Sequence, residues 1–97
     1  MIVGRFKIQC RPDRVDELAA AIAAVEGPSR RLPGVLHFDV ARSMTDPDAF
    51  LAFEVFEDRD AFDRQNAQPE VAELLRLVDA GATIGGYEWS MWDASPA

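Results

Sequence analysis

The chain is poor in the residues that most often announce a chemistry. Its 97 residues include one cysteine, Cys10, and one histidine, His37. A lone cysteine excludes an internal disulfide and any metal site built from several cysteines. Without bridges to protect, the reducing cytoplasm is the natural compartment. Basic residues are also outnumbered. Ten Lys and Arg stand against 17 Asp and Glu, for a net charge of −7. That balance argues against nucleic acid and anionic membranes as partners, since both reward basic patches. No apolar run approaches the ~18 residues of a membrane span, and Arg5 and Lys7 interrupt the apolar N-terminus, which makes it a poor secretory signal. There is no glycine-rich phosphate loop, because Gly85-Gly86 precedes a strand pattern and not a helix. No acidic loop has calcium spacing. Neither a metal nor a cofactor is expected.

What is present is a folded globule's composition, 48% hydrophobic, in one domain spanning residues 1–97 with a short frayed tail at 93–97. Residues 2–10 alternate as a half-buried strand, with Ile2, Gly4, Phe6, Ile8 and Cys10 against Arg5, Lys7 and Gln9. Asp13 is placed to cap a helix in which Val15, Leu18, Ala19, Ile22 and Val25 share a face. Gly27-Pro28 should break or kink that helix, and Pro33-Gly34 closes it. Residues 35–43 read as a second strand, 44–49 as a turn around Asp46-Pro47-Asp48, and 50–57 as a third strand. Asp58 caps a helix to about Asn66. Pro69 restarts helical spacing through Val71, Leu74, Leu75 and Val78, with Gly81 as its stop. Residues 82–86 look loose, and 87–92 alternate as a last strand. The order β-α-β-β-α-β is the ferredoxin-like α+β arrangement, a four-stranded antiparallel sheet with two helices on one face. Both faces of the third strand are largely apolar, so something should cover the side away from the helices. A second copy, giving a homodimer, is the simplest cover.

Several quoted segments resemble a family. They are the Arg11-Pro12-Asp13 helix start, Gly27-Pro28-Ser29-Arg30, Pro33-Gly34, Arg42-Ser43, Asp46-Pro47, Phe50, Phe53-Glu54-Val55-Phe56-Glu57, Ala61-Phe62 and Gln68-Pro69. In order and spacing they are similar to the antibiotic biosynthesis monooxygenase family, small dimeric α+β barrel proteins, over roughly residues 2–92. The resemblance implies the fold, the dimer and a pocket between sheet and helices. It does not extend to every functional position. Members that oxidise polycyclic phenols without a cofactor carry Asn and Trp four apart on the third strand, where this chain has Ala52 and Phe56. Many members carry His on either side of the proline that matches Pro69, where this chain has Gln65 and Glu70. The haem-degrading branch needs such a histidine, so haem is not expected.

Three polar residues are candidates for catalysis. His37 has the one side chain whose ordinary pKa suits base chemistry near neutrality. Its plainer alternative is an imidazole at the dimer face or a sheet edge. Arg42 can stabilise an oxyanion or pair with Asp39 or Glu54. Glu54, among apolar neighbours, can be a base with a raised pKa or half of an ion pair across the dimer interface. Phe38, Phe53, Phe56, Phe62 and Trp89 are candidates to line a pocket for a flat aromatic ligand, although most aromatics serve the core. Cys10 reads as a packed thiol. The expected function is that of a cofactor-independent monooxygenase. It would act on a small enolisable aromatic of quinol or anthrone type, whose anion reacts directly with O2. The alternative is a noncatalytic or regulatory small-ligand-binding member of the same fold, and a lactone isomerase is a third reading.

Overall fold

The computed structural model describes residues 1–94. The elements are β1 (Ile2–Cys10), α1 (Val15–Arg30), β2 (Val35–Arg42), β3 (Ala49–Phe56), α2 (Arg59–Asn66), α3 (Pro69–Asp79) and β4 (Thr83–Asp93), with a 3-10 turn at Pro12–Arg14 before α1. The strands form one antiparallel sheet in the order β2-β3-β1-β4, and the ferredoxin-like α+β expectation holds. Of the expected frayed tail, Asp93 closes β4 and the Ala94 amide donates to the Met1 carbonyl at 2.8 Å. Residues 95–97 lie outside the described residues.

Strand register sorts the side chains into rows. On the helix-covered side one row runs Trp89–Phe6–Ala52–Val40 and the next Met91–Gly4–Glu54–Phe38. On the open side the rows are Trp92–Val3–Val55–His37, Ser90–Arg5–Phe53–Asp39 and Glu88–Lys7–Leu51–Ala41. The core lies on the helix side, where Leu18, Ile22 and Val25 of α1 and Val71, Leu74 and Leu77 of α3 pack with Ile8, Phe38 and Phe50.

Four local expectations need correction. Asp13 does not cap α1. It sits in the 3-10 turn, and Asp16 and Glu17 supply the acidic first turn instead. Pro28 does not break α1, which runs on to Arg30. Proline forfeits one backbone bond there. The last turn is held by the fully buried Ser29 and by Arg30, whose guanidinium donates to the Phe38 carbonyl at 2.8 Å and to Asp39 at 3.2 Å. Plain alternation through 35–43 would put Val35 and His37 on one face, but a register shift between them breaks that phase, so Val35 packs on the core while Leu36 is exposed. Finally, β4 starts at Thr83. Gly85 and Gly86, both with φ 76°, form a bulge that lets the strand pair with Cys10 before resuming register at Ile8.

One edge of the sheet is partly sealed. The Val40 amide donates to Glu26 at 3.0 Å, and Arg30 covers the Phe38 carbonyl, so side chains of α1 occupy two of the backbone groups that β2 would offer a further strand.

Gly4 allows a close approach of another kind. A Cβ at Gly4 would stand 2.5 Å from the far edge of the Trp89 indole. Gly4→Ala should therefore destabilise the protein by about 1–3 kcal/mol, as overpacking does. Adding Trp89→Phe should recover most of that loss. Urea unfolding of the single and double variants checks this, and an unrelieved loss in the double variant would show that the indole is not the obstacle.

Candidate functional site

A small residue in the sheet floor leaves room beneath the helices. Over Ala52 the sheet carries little side-chain volume, and a cavity of about 270 Å³ opens between sheet and helices. Phe6, Phe38, Val40, Ala52 and Glu54 line it from the sheet, with Tyr87 and Trp89 at the β4 side. Ile22 and Val25 come from α1, Phe62, Gln65 and Asn66 from α2, and Val71, Leu74 and Leu75 from α3. Asp58 fixes the start of α2 by accepting the Ala61 amide at 2.9 Å. Phe62 is then set edge-on against the buried Phe56, with ring centroids 5.4 Å apart, and beside Trp89 at 5.7 Å. The indole lies over Gly4, so the aromatic wall is locked from both ends.

Two polar groups stand in this apolar lining at very low exposure. Glu54 is 4% exposed, and its carboxyl has no hydrogen-bond or charge partner among the described residues. Burial pushes its pKa up from 4.5 to about 7, because the charged form loses water and gains no compensating donor. Gln65 is 3% exposed. Its Nε2 donates to Ser29 Oγ at 3.3 Å, and its Oε1 has no partner. A carboxyl near half-ionisation at neutral pH, facing a cavity lined with aromatic rings, can take a proton from a bound hydroxyl.

The other candidates are scattered. His37 is exposed on the open face, edge-on to Phe53 at 5.4 Å, and the sheet separates it from the cavity. Phe53 shares that open face at 49% exposure. Arg42 is bound to the Pro47 carbonyl and lies over the Phe50 ring, 5.3 Å from its centroid. It lines a separate groove with Glu26 and Ala23. Asp39 pairs with Arg30, not Arg42. Phe38, Phe62 and Trp89 do line the cavity, whereas Phe56 is fully buried behind it. The expected interfacial ion pair of Glu54 is not found, because its row is the one the helices cover. Cys10 is buried, and burial together with nearby Asp48 raises its thiol to about 11, so it is no nucleophile at neutral pH. No cluster of three or more metal-binding side chains occurs among the described residues. Gln65 is the site residue that sequence reasoning missed. The available signal was a polar side chain one turn from Ala61 on the buried face of α2.

A family model described as antibiotic biosynthesis monooxygenase matches residues 1–77. The chain belongs to the antibiotic biosynthesis monooxygenase family. The match takes in β1 through most of α3 but not β4, so Tyr87 and Trp89 lie beyond it. Solved structures agree in fold. One, an antibiotic biosynthesis monooxygenase, is 23% identical with a TM-score of 0.87, covering 99% of this chain and 100% of that one. A candidate antibiotic biosynthesis monooxygenase from Nitrosomonas europaea is 19% identical with a TM-score of 0.87, covering 97% and 98%. Another from Deinococcus radiodurans is 16% identical with a TM-score of 0.87, covering 100% and 95%. No curated protein matches. In this monooxygenase-family chain, Ala52 occupies the cavity floor where the resemblance points to Asn, and Gln65 occupies the wall where it points to His.

Burial of Glu54 predicts a pH effect whose sign is fixed. Its folded pKa lies above its ordinary value, so its contribution to stability is complete below pH about 4.5 and is lost as pH rises through about 7. Relative to a Glu54→Gln variant, the wild type should lose about 3 kcal/mol between those limits. Urea unfolding of both proteins across that range measures the difference. Parallel curves would show a solvated carboxyl.

Proposed function

We propose that this family member is a cofactor-independent monooxygenase whose base is Glu54, acting on a flat enolisable aromatic held in the cavity. The observation that carries the proposal is the unpartnered carboxyl with a pKa of about 7 among aromatic rings. The cavity, at about 270 Å³, lies at the low end of ligand pockets, roughly 300–1,000 Å³, and so favours small ring systems.

The chemistry needs only the substrate, O2 and a base. Glu54 removes the hydroxyl proton of an arenol, or a CH proton of its keto form. The resulting anion gives one electron to O2, and the radical pair closes a C–O bond. Protonated Glu54 returns the proton to the peroxide. The carbon then loses its remaining hydrogen as a proton, the O–O bond breaks with its electrons leaving on the outer oxygen, and that oxygen departs as water. One arenol and one O2 give one quinone and one H2O. The second reading is ligand binding without turnover. It is favoured by Ala52, which puts a methyl group in the floor where a polar side chain would hold the reacting anion.

The open sheet face is proposed to meet a second copy. It carries the row Trp92–Val3–Val55–His37, with Trp92 52% exposed, beside one row that holds both Arg5 and Asp39 and another in which Lys7 stands across from Glu88. A self-complementary patch of this kind suits a two-fold dimer. His37 would then belong to the interface and not to the chemistry.

Oxygen uptake with quinols, naphthols and anthrones, corrected for autoxidation, tests the enzyme reading. Uptake should fall by about 10²-fold or more in Glu54→Gln, the usual scale for a general base, and should survive His37→Ala. It should rise with pH through about 7 as Glu54 ionises. Uptake indifferent to Glu54 overturns this role, and binding without uptake supports the second reading. For the assembly, sedimentation should show a dimer at micromolar concentration that Val55→Lys converts to monomer. A wild-type monomer would remove the interface.

A further inference from the structure

Glu54 leaves a second polar atom of the cavity unexplained. Oε1 of Gln65 is a buried acceptor with no partner, in a side chain that lines the cavity. Native interiors rarely leave such an atom unpaired, because its lost hydration is not replaced. Its orientation is held. Gln65 Nε2 donates to Ser29 Oγ at 3.3 Å, and Gln68 Nε2 donates to the same oxygen at 2.9 Å and to the Gln65 carbonyl at 3.2 Å. Ser29 is fully buried in α1, Gln65 lies in α2, and Gln68 precedes α3. The hydroxyl of Ser29 therefore ties α1 to α2 and to the N-cap of α3, and it holds the Gln65 amide in place. The Nε2 contact satisfies any structural need, whereas an apolar side chain of the same length would fill the wall without stranding an acceptor.

The lining also lacks a positive charge. Among the described residues no Lys, Arg or His borders the cavity, so no positive side chain there would hold a carboxylate or phosphate. A neutral acceptor and a carboxyl in one apolar enclosure select a neutral molecule that donates twice. We propose that Gln65 Oε1 accepts a hydrogen bond from a second hydroxyl or N–H of the substrate, so that the cavity selects uncharged flat arenols carrying two donors, one for Glu54 and one for Gln65. Ser29 is the positioning residue for this contact. The inference rests on the reading of the cavity as the substrate site.

The test is binding without oxygen. Naphthol and a set of dihydroxynaphthalene isomers are titrated calorimetrically into the wild type, Gln65→Met and Ser29→Ala. At least one dihydroxy isomer should bind the wild type about tenfold more tightly than naphthol, the scale of one well-made hydrogen bond. Both variants should lose that gain while their naphthol affinity stays within about twofold. Gln65→Met should melt no lower than the wild type, since it removes an unpaired acceptor. Where it does not fold, Ser29→Ala carries the comparison. A gain kept in the variants, or no gain for any isomer in the wild type, overturns the role of Gln65 and leaves the cavity reading intact. No binding of any probe overturns the cavity reading and this inference with it.

Discussion

Trp89 can lie across β1 only because Gly4 has no side chain. Much of the site follows from that contact. The indole covers the floor at Gly4, braces Phe62, and through it reaches Phe56 at the end of β3. A larger residue at Gly4 would displace the indole and lift the aromatic wall off the sheet. A sheet of this size covered by helices normally closes on itself, at the packing density of an organic crystal. Here the small side chain of Ala52 helps keep part of the interior open while Ile8, Phe50 and Leu18 close the rest.

Keeping that space costs stability twice, once in lost packing and once in the polar groups that face it. Glu54 has no donor to replace the water it loses, and Gln65 Oε1 has none either. Leucine or methionine would carry neither cost, so the two polar groups fit a site that is completed when a donor arrives. The contrast with the rest of the buried polar set supports this. Ser29 receives two amide donors, and two edge groups of β2 are covered by Glu26 and Arg30. The buried side-chain atom that has no partner among the described residues, Gln65 Oε1, belongs to a residue that lines the cavity.

The fold was legible because its signals are periodic. Alternation in β1 and at 87–92, the Ile22-Val25 face of α1, the Asp58 cap and the Pro69 restart each translate a local pattern into an element. The failures were of two kinds. Pro28 and Gly85-Gly86 read as breaks, but tertiary contacts carried α1 and β4 through them. More important, alternation tells which residues share a face and not which face the helices take. Glu54 and Phe53 are opposite neighbours on one strand, and only the packing of α1 and α3 decides that Glu54 is the enclosed one. His37 drew attention by its ordinary pKa, yet it stands on the open side. Burial gives Glu54 the titration range that histidine has by nature. Gln65 was visible only as a missing histidine, since an orphaned acceptor is a property of three dimensions.

The two polar groups also differ in how firmly each is placed, and that difference bears on what the cavity can recognise. Glu54 sits on β3, a strand paired on both sides, opposite Gly4 and Phe38. Two ladders fix its Cα, and the carboxyl can shift only by side-chain rotation. Gln65 sits on α2, a helix of eight residues held at its start by Asp58 and along its length by Ser29, Phe56 and Trp89. Its distance from Glu54 is set by the seating of a short helix on the sheet, a softer coordinate than strand register. A ligand spanning the two groups would therefore bind a rigid base at one end and an adjustable acceptor at the other. Under the proposed function, the position of the reacting hydroxyl would be fixed by β3, and tolerance for different substrates would reside in α2.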